Sequence, residues 1–255
     1  MTFADVVTRL ERELRRELPG PEAQARLAPH PRRDWPAGFN PARIRHAAGL
    51  LLVFPGRLLN AESAESAEND NSPRSLRSRG STSSEKDDPL RALRSLRSTS
   101  SDRAHIVLTV RADALRHGGQ VSLPGGVVEP GETHEQAALR EAHEEVALPL
   151  APVRVLGALT PLDIPVSGFR LHPIVAATPD APLLTPADSE VAQNLEIAVH
   201  DLLDPANFVR TTRERDGVRY VVPVFRVSGH DVWGATAMVL AEFLALLGWM
   251  GDKRE

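Results

Sequence analysis

Three glutamates near the middle of the chain have the type and spacing of a cation site. Glu141, Glu144 and Glu145 fall within an arc of about 100° when they are placed on a helix with 3.6 residues per turn. Like charges on one helix face repel each other, so a cation that neutralises them would stabilise the arrangement. Ligands that are all carboxylate oxygens suit Mg²⁺ or Mn²⁺. The spacing therefore predicts a divalent metal site on a helix face.

The segment before these glutamates has the features of a turn that leads into a helix. Gly125 and Gly126 are typical of a tight turn, and Thr133 followed by Gln136 has the spacing of a capping box at a helix start. The face opposite the glutamates is apolar, which predicts contact with a core. That face consists of Leu139, Ala142 and Val146.

The stretch from Gly126 to Leu148 reads GVVEPGETHEQAALREAHEEVAL and fits the pattern G-x5-E-x7-R-E-U-x-E-E-x-G-U, in which U is an apolar residue. It resembles the box of the Nudix hydrolases. An isolated acidic helix face is more often solvated surface, and the number of matched positions is what favours a metal site here. One position departs, because Ala147 stands where the pattern has the glycine that closes the helix. The matched positions are Gly126, Glu132, Arg140, Glu141, Ala142, Glu144, Glu145 and Leu148.

The resemblance implies both a fold and an activity. The fold is of the α/β (α+β) class, a mixed β-sheet sandwiched between helices, and the activity is metal-dependent hydrolysis of a pyrophosphate linkage with Mg²⁺ or Mn²⁺. The order of segments along the chain agrees with this class. Hydrophobic patterning predicts strands at residues 47–54, 105–110, 153–159, 170–176, 196–199 and 220–227, and helices at 2–18 and 233–249.

The chain is expected to have an N-terminal extension and one domain with an insertion. Residues 1–34 are interpreted as a helix, ended by Pro19-Gly20, and a connector rich in Pro and Arg, and residues 35–250 as the Nudix-like domain. Residues 61–101 contain twelve serines, seven acidic and seven basic residues and no aromatic residue. Such a segment buries too little apolar surface to offset its ordering entropy, so we expect a disordered insertion in a hairpin loop. A nucleic-acid-binding arm is disfavoured because acidic and basic residues are equal in number.

The composition excludes several kinds of protein. Without cysteine, disulfides, thiol catalysis and zinc–thiolate sites are excluded. The net charge of −4 shows no basic excess, so no nucleic-acid partner is expected. The first residues are a charged amphipathic pattern rather than a signal peptide, and no apolar run has membrane-spanning length. We expect a soluble cytoplasmic protein with a small-molecule substrate and no membrane partner, and the sequence leaves the oligomeric state open.

A second motif narrows the resemblance. Residues 108–126, LTVRADALRHGGQVSLPGG, resemble the segment L-L-T-x-R-S-x-x-L-R-x-H-x-G-Q before F-P-G-G that marks the coenzyme A pyrophosphatase branch of the family. A few substitutions depart from that segment, and one residue is missing between Arg116 and His117. Other segments that resemble this branch are residues 165–175, 190–192 and 232–237.

The implied substrate is coenzyme A or one of its thioesters, cleaved to 3′,5′-ADP and 4′-phosphopantetheine. Two alternatives remain open. One is a Nudix hydrolase of another dinucleotide, such as NADH or ADP-ribose. The other is a non-catalytic domain that senses nucleotides, which is disfavoured because such domains usually lack acids of the box.

The residues of the box then receive expected roles. Glu141 and Glu145, one helical turn apart, are the metal ligands, and Glu144 is a third ligand or a catalytic acceptor through water. The Gly125–Gly126 turn lies against the substrate and can add a backbone carbonyl to the metal site. Two residues of the box are expected to form a structural ion pair between loop and helix, Glu132 and Arg140.

Residues outside the box complete the expected site. Arg111 and Arg116 offer fork-shaped donors to phosphate oxygens, and His117 either donates to a phosphate or has a local structural role. The resemblance also places a glutamate near residue 190. Glu190 is therefore the expected extra carboxylate, as a metal ligand or a general base. Its competitors are Asp188 and Glu196.

Overall fold

The computed structural model describes residues 1–57, 100–112, 118–187, 189–215 and 217–251. The chain divides into two units, one made of Met1–Gly56 with Asp102–Glu255 and the other of Arg57–Ser101. Of the segment expected to be a disordered insertion, residues 61–99 lie outside the described part of the chain, and residues 100 and 101 begin a strand. The helices and the candidate site belong to the first unit.

Five α-helices lie among the described residues. They are α1 (Phe3–Glu13), α2 (Gly20–Ala25), α3 (His134–Val146), α4 (Val199–Leu203) and α5 (Gly234–Leu246). The capping box predicted at Thr133 is present at the start of α3. The backbone amide of Gln136 donates to the Thr133 hydroxyl, and the backbone amide of Thr133 donates to the Gln136 side chain. Within the described part, no helix is long and apolar enough to cross a membrane.

The strands form two sheets. In chain order they are β1 (Arg45–Arg57), β2 (Ser100–Arg111), β3 (Val121–Ser122), β4 (Gly125–Val127), β5 (Arg154–Ala158), β6 (Leu162–Ile164), β7 (Phe169–Ala177), β8 (Val191–Ala198), β9 (Phe208–Arg215), β10 (Val218–Val227) and β11 (His230–Val232). The larger sheet follows the order β3-β2-β1-β7-β5, with β4 on β1, β6 on β7 and β8 on β2. It is mixed, because β1 and β7 run parallel and the other described pairs are antiparallel. The smaller sheet is β9, β10 and β11.

The central strand β1 is buried on both of its faces. Leu51 and Val53 belong to a core shared with α1, α5 and the smaller sheet. Leu50 and Leu52 belong to a second core, on the opposite face, which is completed by the apolar side of α3. The mixed sheet therefore lies between helices, and the fold class predicted from the sequence is confirmed.

Two expectations about element boundaries were wrong. The predicted helix 2–18 ends at Glu13, and Pro19 and Gly20 start α2 instead of only ending a helix. Proline is accepted in a first helical turn because no amide hydrogen is needed there. The strand predicted at 196–199 begins earlier, at Val191, and ends at Ala198. Its polar first half lacks an apolar alternation and is held by backbone pairing with β2.

A buried carboxylate joins α5 to the N-terminal part of the chain. Glu242 has an exposed fraction of 0% and accepts four hydrogen bonds. The donors are the Gly20 amide at 3.2 Å, the Gln24 side chain at 2.8 Å, and the Thr160 amide and hydroxyl at 3.2 and 2.7 Å. Hydrogen bonds of this kind offset the cost of removing the charge from water.

Candidate active site

The prediction of a tight turn at Gly125 and Gly126 was wrong, because both residues belong to strand β4, which is paired with the central strand β1. These two residues are called the glycine turn. Gly125 pairs with Gly49, and Gly126 with Ala48, in the antiparallel β1–β4 ladder. A side chain on Gly125 would overlap the backbone carbonyl of Ala48, so the close approach requires glycine. The turn is thereby fixed at a defined distance from the sheet, and Val127 follows it as the last residue of β4.

Helix α3 is fixed by its buried side and leaves its acidic side facing the turn. Ala137, Ala138, Ala142 and Val146 are buried against the sheet. The helix ends at Val146, and the capping residue Ala147 adopts the left-handed conformation with φ of 54°. A residue with a Cβ atom pays about 1–2 kcal/mol for this conformation, which glycine adopts freely. The departure of this chain from the box pattern thus costs stability at the helix end without touching a carboxylate.

Glu141 and Glu145 converge on the glycine turn. Glu145 is only 6% exposed, and its Oε2 accepts a hydrogen bond of 2.9 Å from the Gly125 amide. A Cβ atom added to Gly126 would overlap the carboxylate of Glu141, which therefore lies directly against the backbone of the turn. Carboxylates from successive turns of α3 are thus brought to one place.

Arg140 donates hydrogen bonds to the other acidic residues of the helix and of the loop before it. Its Nη1 donates to Glu141 at 3.0 Å and to Glu144 at 3.1 Å. Its Nε and Nη2 donate to the two oxygens of Glu132 at 2.9 and 3.1 Å, and Nη2 also donates to the Val127 carbonyl. This fork joins the loop before α3 to the helix and orients the acidic face.

The charges of the cluster are not balanced by the arginine alone. The guanidinium of Arg140 forms ion pairs with three glutamates, Glu132, Glu141 and Glu144. A fourth, Glu145, accepts a hydrogen bond from the Gly125 amide. Burial raises the pKa of Glu141, against the lowering effect of its hydrogen bond from Arg140. The hydrogen bond from Arg140 holds the pKa of Glu132 below its ordinary range. An excess of carboxylate oxygens, one of them partly desolvated, suits a hard divalent cation.

The Glu132–Arg140 pair predicts a pH-dependent contribution to stability. Because the pKa of Glu132 is lower in the folded chain than its ordinary 4.5, the folded state binds fewer protons. The contribution is therefore complete above pH 4.5 and is lost as the pH falls through the lowered value. We expect Glu132→Gln to lower the urea midpoint by a constant amount between about pH 6 and 8, and by progressively less below about pH 4.5. A deficit that grows on acidification would contradict this role, and Glu135→Gln, an exposed change three residues later in the first turn of α3, is the matched control.

Comparison with known proteins identifies the family. The model of the NUDIX domain matches residues 95–218. A protein of Yersinia enterocolitica, named an uncharacterized Nudix hydrolase NudL, is 39% identical over 137 residues, which are 53% of this chain and 70% of that protein. The chain belongs to the Nudix hydrolase family. The NudL protein of Yersinia pestis (strain Pestoides F) is also 39% identical over 137 residues and is covered to 68%.

A solved structure of the Nudix hydrolase RenU from M. smegmatis shares 17% sequence identity with this Nudix chain, with 83% of this chain and 90% of that one covered and a TM-score of 0.47. Nudix hydrolases use divalent cations, and the acids at the Gly125–Gly126 turn offer the oxygen ligands that such cations prefer. In this Nudix box the residues that would hold the cation are Glu141, Glu144 and Glu145.

Outside the Nudix box, the structure brings two expected site residues together. The Nη2 of Arg111 donates to Oε2 of Glu190 at 3.2 Å, and the Ala112 amide donates to the Glu190 carbonyl at 2.8 Å. Glu196 lies apart from this pair, on β8, where it is exposed and opposite Val107. Three candidates lie outside the described residues, namely Arg116, His117 and Asp188.

A cleft of about 830 Å³, which was not expected from the sequence, is lined by residues outside the Nudix box. Its wall includes Gln120, Val121 and Ser122, and two residues separate Ser122 from Gly125 in the chain. Its cationic lining consists of Arg32, Arg33, Arg111 and Arg213. A smaller hollow of about 530 Å³ lies beside the box loop, but its arginine is Arg140, which is already bonded to three carboxylates.

The cleft combines charge with an apolar platform. Arg213 lies over the ring of Trp233, with its Cζ 4.3 Å from the ring centroid. Arg33 bonds to the Tyr220 hydroxyl at 2.9 Å. The sequence showed only an Arg-rich connector at residues 32 and 33, and nothing in its pattern indicated that it lines the same cleft as Arg111 and Arg213. The signal in the sequence that could have indicated a binding surface is the pair of consecutive arginines with a tryptophan two residues later, in HPRRDWP.

Proposed function

We propose that this Nudix hydrolase cleaves the pyrophosphate linkage of coenzyme A and its thioesters, producing 3′,5′-ADP and 4′-phosphopantetheine with Mg²⁺ or Mn²⁺. The observation that carries the proposal is the arginine-lined cleft, whose wall includes Val121 and Ser122 shortly before Gly125 in the chain, taken together with the acidic face of α3. The upstream motif from Leu108 to Gly126 supports it, since Arg111 belongs both to that motif and to the cleft.

The charge of the cleft suits a substrate with more than a diphosphate. Coenzyme A carries a 3′-phosphate in addition to its pyrophosphate, and a phosphate monoester bears about 1.5 to 2 negative charges at neutral pH. Four arginines line the cleft, against two acids, Asp163 and Glu214. Two of the arginines also have an acidic neighbour outside the lining, Glu190 at 3.2 Å from Arg111 and Asp231 at 3.7 Å from Arg213. Asp163 is paired with Arg170 at 2.6 Å, so its charge is partly neutralised. Guanidinium groups bind phosphate in forked, charge-assisted hydrogen bonds, which favours a trianionic or more highly charged ligand.

Each residue of the candidate site has a separate role in the proposed hydrolysis. Glu141 and Glu145 would hold the cation, with Glu144 as a further ligand or an acceptor through water. A divalent cation in this place offsets phosphate charge and lowers the pKa of a bound water. Arg111 binds a substrate phosphate in exchange for Glu190, with which it is paired at 3.2 Å. Glu190, released from that pair, accepts the proton of the attacking water.

A second substrate class, NADH or ADP-ribose, is supported by the same geometry around the diphosphate, because it requires no pocket for a 3′-phosphate. Nothing in the box favours the non-catalytic alternative. The acids that bind metal in the family, Glu141, Glu144 and Glu145, are all present on α3.

The substrate is tested by comparing kcat/KM for coenzyme A, 3′-dephospho-coenzyme A, NADH and ADP-ribose with Mg²⁺ and with Mn²⁺. We expect coenzyme A to exceed its 3′-dephospho form by about 10- to 100-fold, the value of one or two charge-assisted hydrogen bonds. Arg111→Ala should lower kcat/KM for coenzyme A by a similar factor, whereas Arg43→Ala, an exposed change outside the cleft, should not. Turnover confined to NADH and ADP-ribose would refute coenzyme A as the substrate and leave the hydrolase assignment intact.

A further inference from the structure

Three histidines far apart in the sequence meet beside the start of the box helix. His46 lies near the beginning of β1, His172 on β7, and His134 is the first residue of α3. The parallel β1–β7 ladder places His172 opposite Ala48, two residues beyond His46 and therefore on the same face of the sheet. The Val128 amide donates to the His46 carbonyl at 3.0 Å, which brings the chain leading to His134 over this face.

The ring nitrogens of the three histidines are within reach of a single ion. One nitrogen from each ring lies within 4.8 Å of the other two, and Nδ1 of His46 is 2.9 Å from Nε2 of His172. A tetrahedral ion with bonds of about 2.0–2.1 Å to nitrogen separates its ligand atoms by about 3.3–3.4 Å. The observed separations bracket this value, so small ring movements satisfy it.

The cluster is accessible from solvent, since His46 is exposed and the other two rings are partly exposed. The rings of His134 and His172 stack with centroids 3.6 Å apart, and His134 must leave this stack to aim a nitrogen at a shared ion. A hollow of about 420 Å³ next to His46 and His134 gives it room, and the exposed Glu129 lines the same hollow.

We propose that His46, His134 and His172 form a second metal site, distinct from the acidic cluster, which takes a borderline divalent cation such as Zn²⁺. Imidazole nitrogen suits Zn²⁺, Co²⁺, Ni²⁺ and Cu²⁺, whereas Mg²⁺ prefers oxygen ligands. An ion in this place joins β1, β7 and the first residue of α3. It therefore clamps the N-terminal end of the helix whose later turns carry Glu141 and Glu145.

The test is Zn²⁺ binding to the full, untagged chain by calorimetry in the presence of saturating Mg²⁺, which occupies the oxygen ligands. We expect one Zn²⁺ per chain with a dissociation constant of about 1 μM or lower, and a Tm that rises with Zn²⁺ concentration. His46→Ala and His134→Ala should each weaken binding by about 100-fold. His46 is exposed, so its replacement leaves the core unchanged. With Co²⁺ in place of Zn²⁺, a visible absorption spectrum reports nitrogen ligands directly.

Two control variants separate this site from the acidic one. His200→Gln removes an exposed histidine elsewhere, and Glu145→Gln alters the acidic cluster, and both should bind Zn²⁺ as the wild type does. Wild-type binding weaker than about 100 μM would overturn the proposal. So would affinity that survives in both His46→Ala and His134→Ala but is lost in Glu145→Gln, since the ion would then belong to the acids of the box.

Discussion

Glu145→Gln is expected to lower kcat by about 10³-fold or more and to leave the fold intact. The amide lacks the negative charge that binds a hard divalent cation. Its oxygen can still accept the hydrogen bond that Glu145 receives from the Gly125 amide at 2.9 Å, so the turn and the helix keep their contact. The measurements are kcat over a range of Mg²⁺ concentrations and circular dichroism of the purified variant.

The matched control is Glu135→Gln, the same chemical change in the first turn of the same helix, where the side chain is exposed. It should retain wild-type kcat and the same dependence on Mg²⁺. Glu141→Gln should behave like Glu145→Gln, because its carboxylate lies against Gly126 at the same turn. Near wild-type turnover in either ligand variant would show that these carboxylates do not hold the catalytic metal.

Glu242→Ala is expected to lower the free energy of unfolding by about 3–5 kcal/mol, the largest effect on stability that we anticipate for a single substitution. The change removes the acceptor of four hydrogen bonds at a position with an exposed fraction of 0%. The amides of Gly20 and Thr160, together with the Gln24 side chain, would remain in the interior without that acceptor. Urea denaturation followed by fluorescence of Trp233 and the other tryptophans measures the loss.

Glu242→Gln separates hydrogen bonding from packing. Three of the four donors bond to Oε1, and a glutamine oxygen at that place keeps all three. Only the bond from Gln24 to Oε2 is disturbed, so we expect a loss of about 1 kcal/mol. Glu17→Ala, an exposed change, should be neutral. Equal losses in Glu242→Gln and Glu242→Ala would contradict the hydrogen-bond account.

The parts of the fold and site that the sequence predicts are those set by neighbours along the chain. The capping box at Thr133 and the acidic face of α3 depend on spacings of three and four residues, which a helix converts directly into proximity. The apolar run of β1 was recognised because both faces of that strand are buried. The polar first half of β8 was missed, since its strand conformation depends on pairing with β2 rather than on its own pattern.

Features that depend on distant segments could not be predicted. The arginines at 32 and 33 reach the same cleft as Arg213 only because the chain folds back, and no spacing relates them. Isolated histidines are uninformative in a sequence, and His46 and His172 become neighbours through the parallel ladder. Glu242 lies in an apolar helical segment, and no residue near it in the sequence indicates its hydrogen-bond partners on α2 and at Thr160.

The parallel pairing of β1 with β7 also constrains when the protein can fold during synthesis. Arg45 is opposite Phe169, so β1 cannot pair with β7 until the ribosome has added more than a hundred further residues. At about 5–20 residues per second, the ribosome needs roughly 6–25 s to supply it. Throughout that interval the run from Leu50 to Phe54 has no partner on this edge, and its apolar side chains are open to chaperones or to other nascent chains.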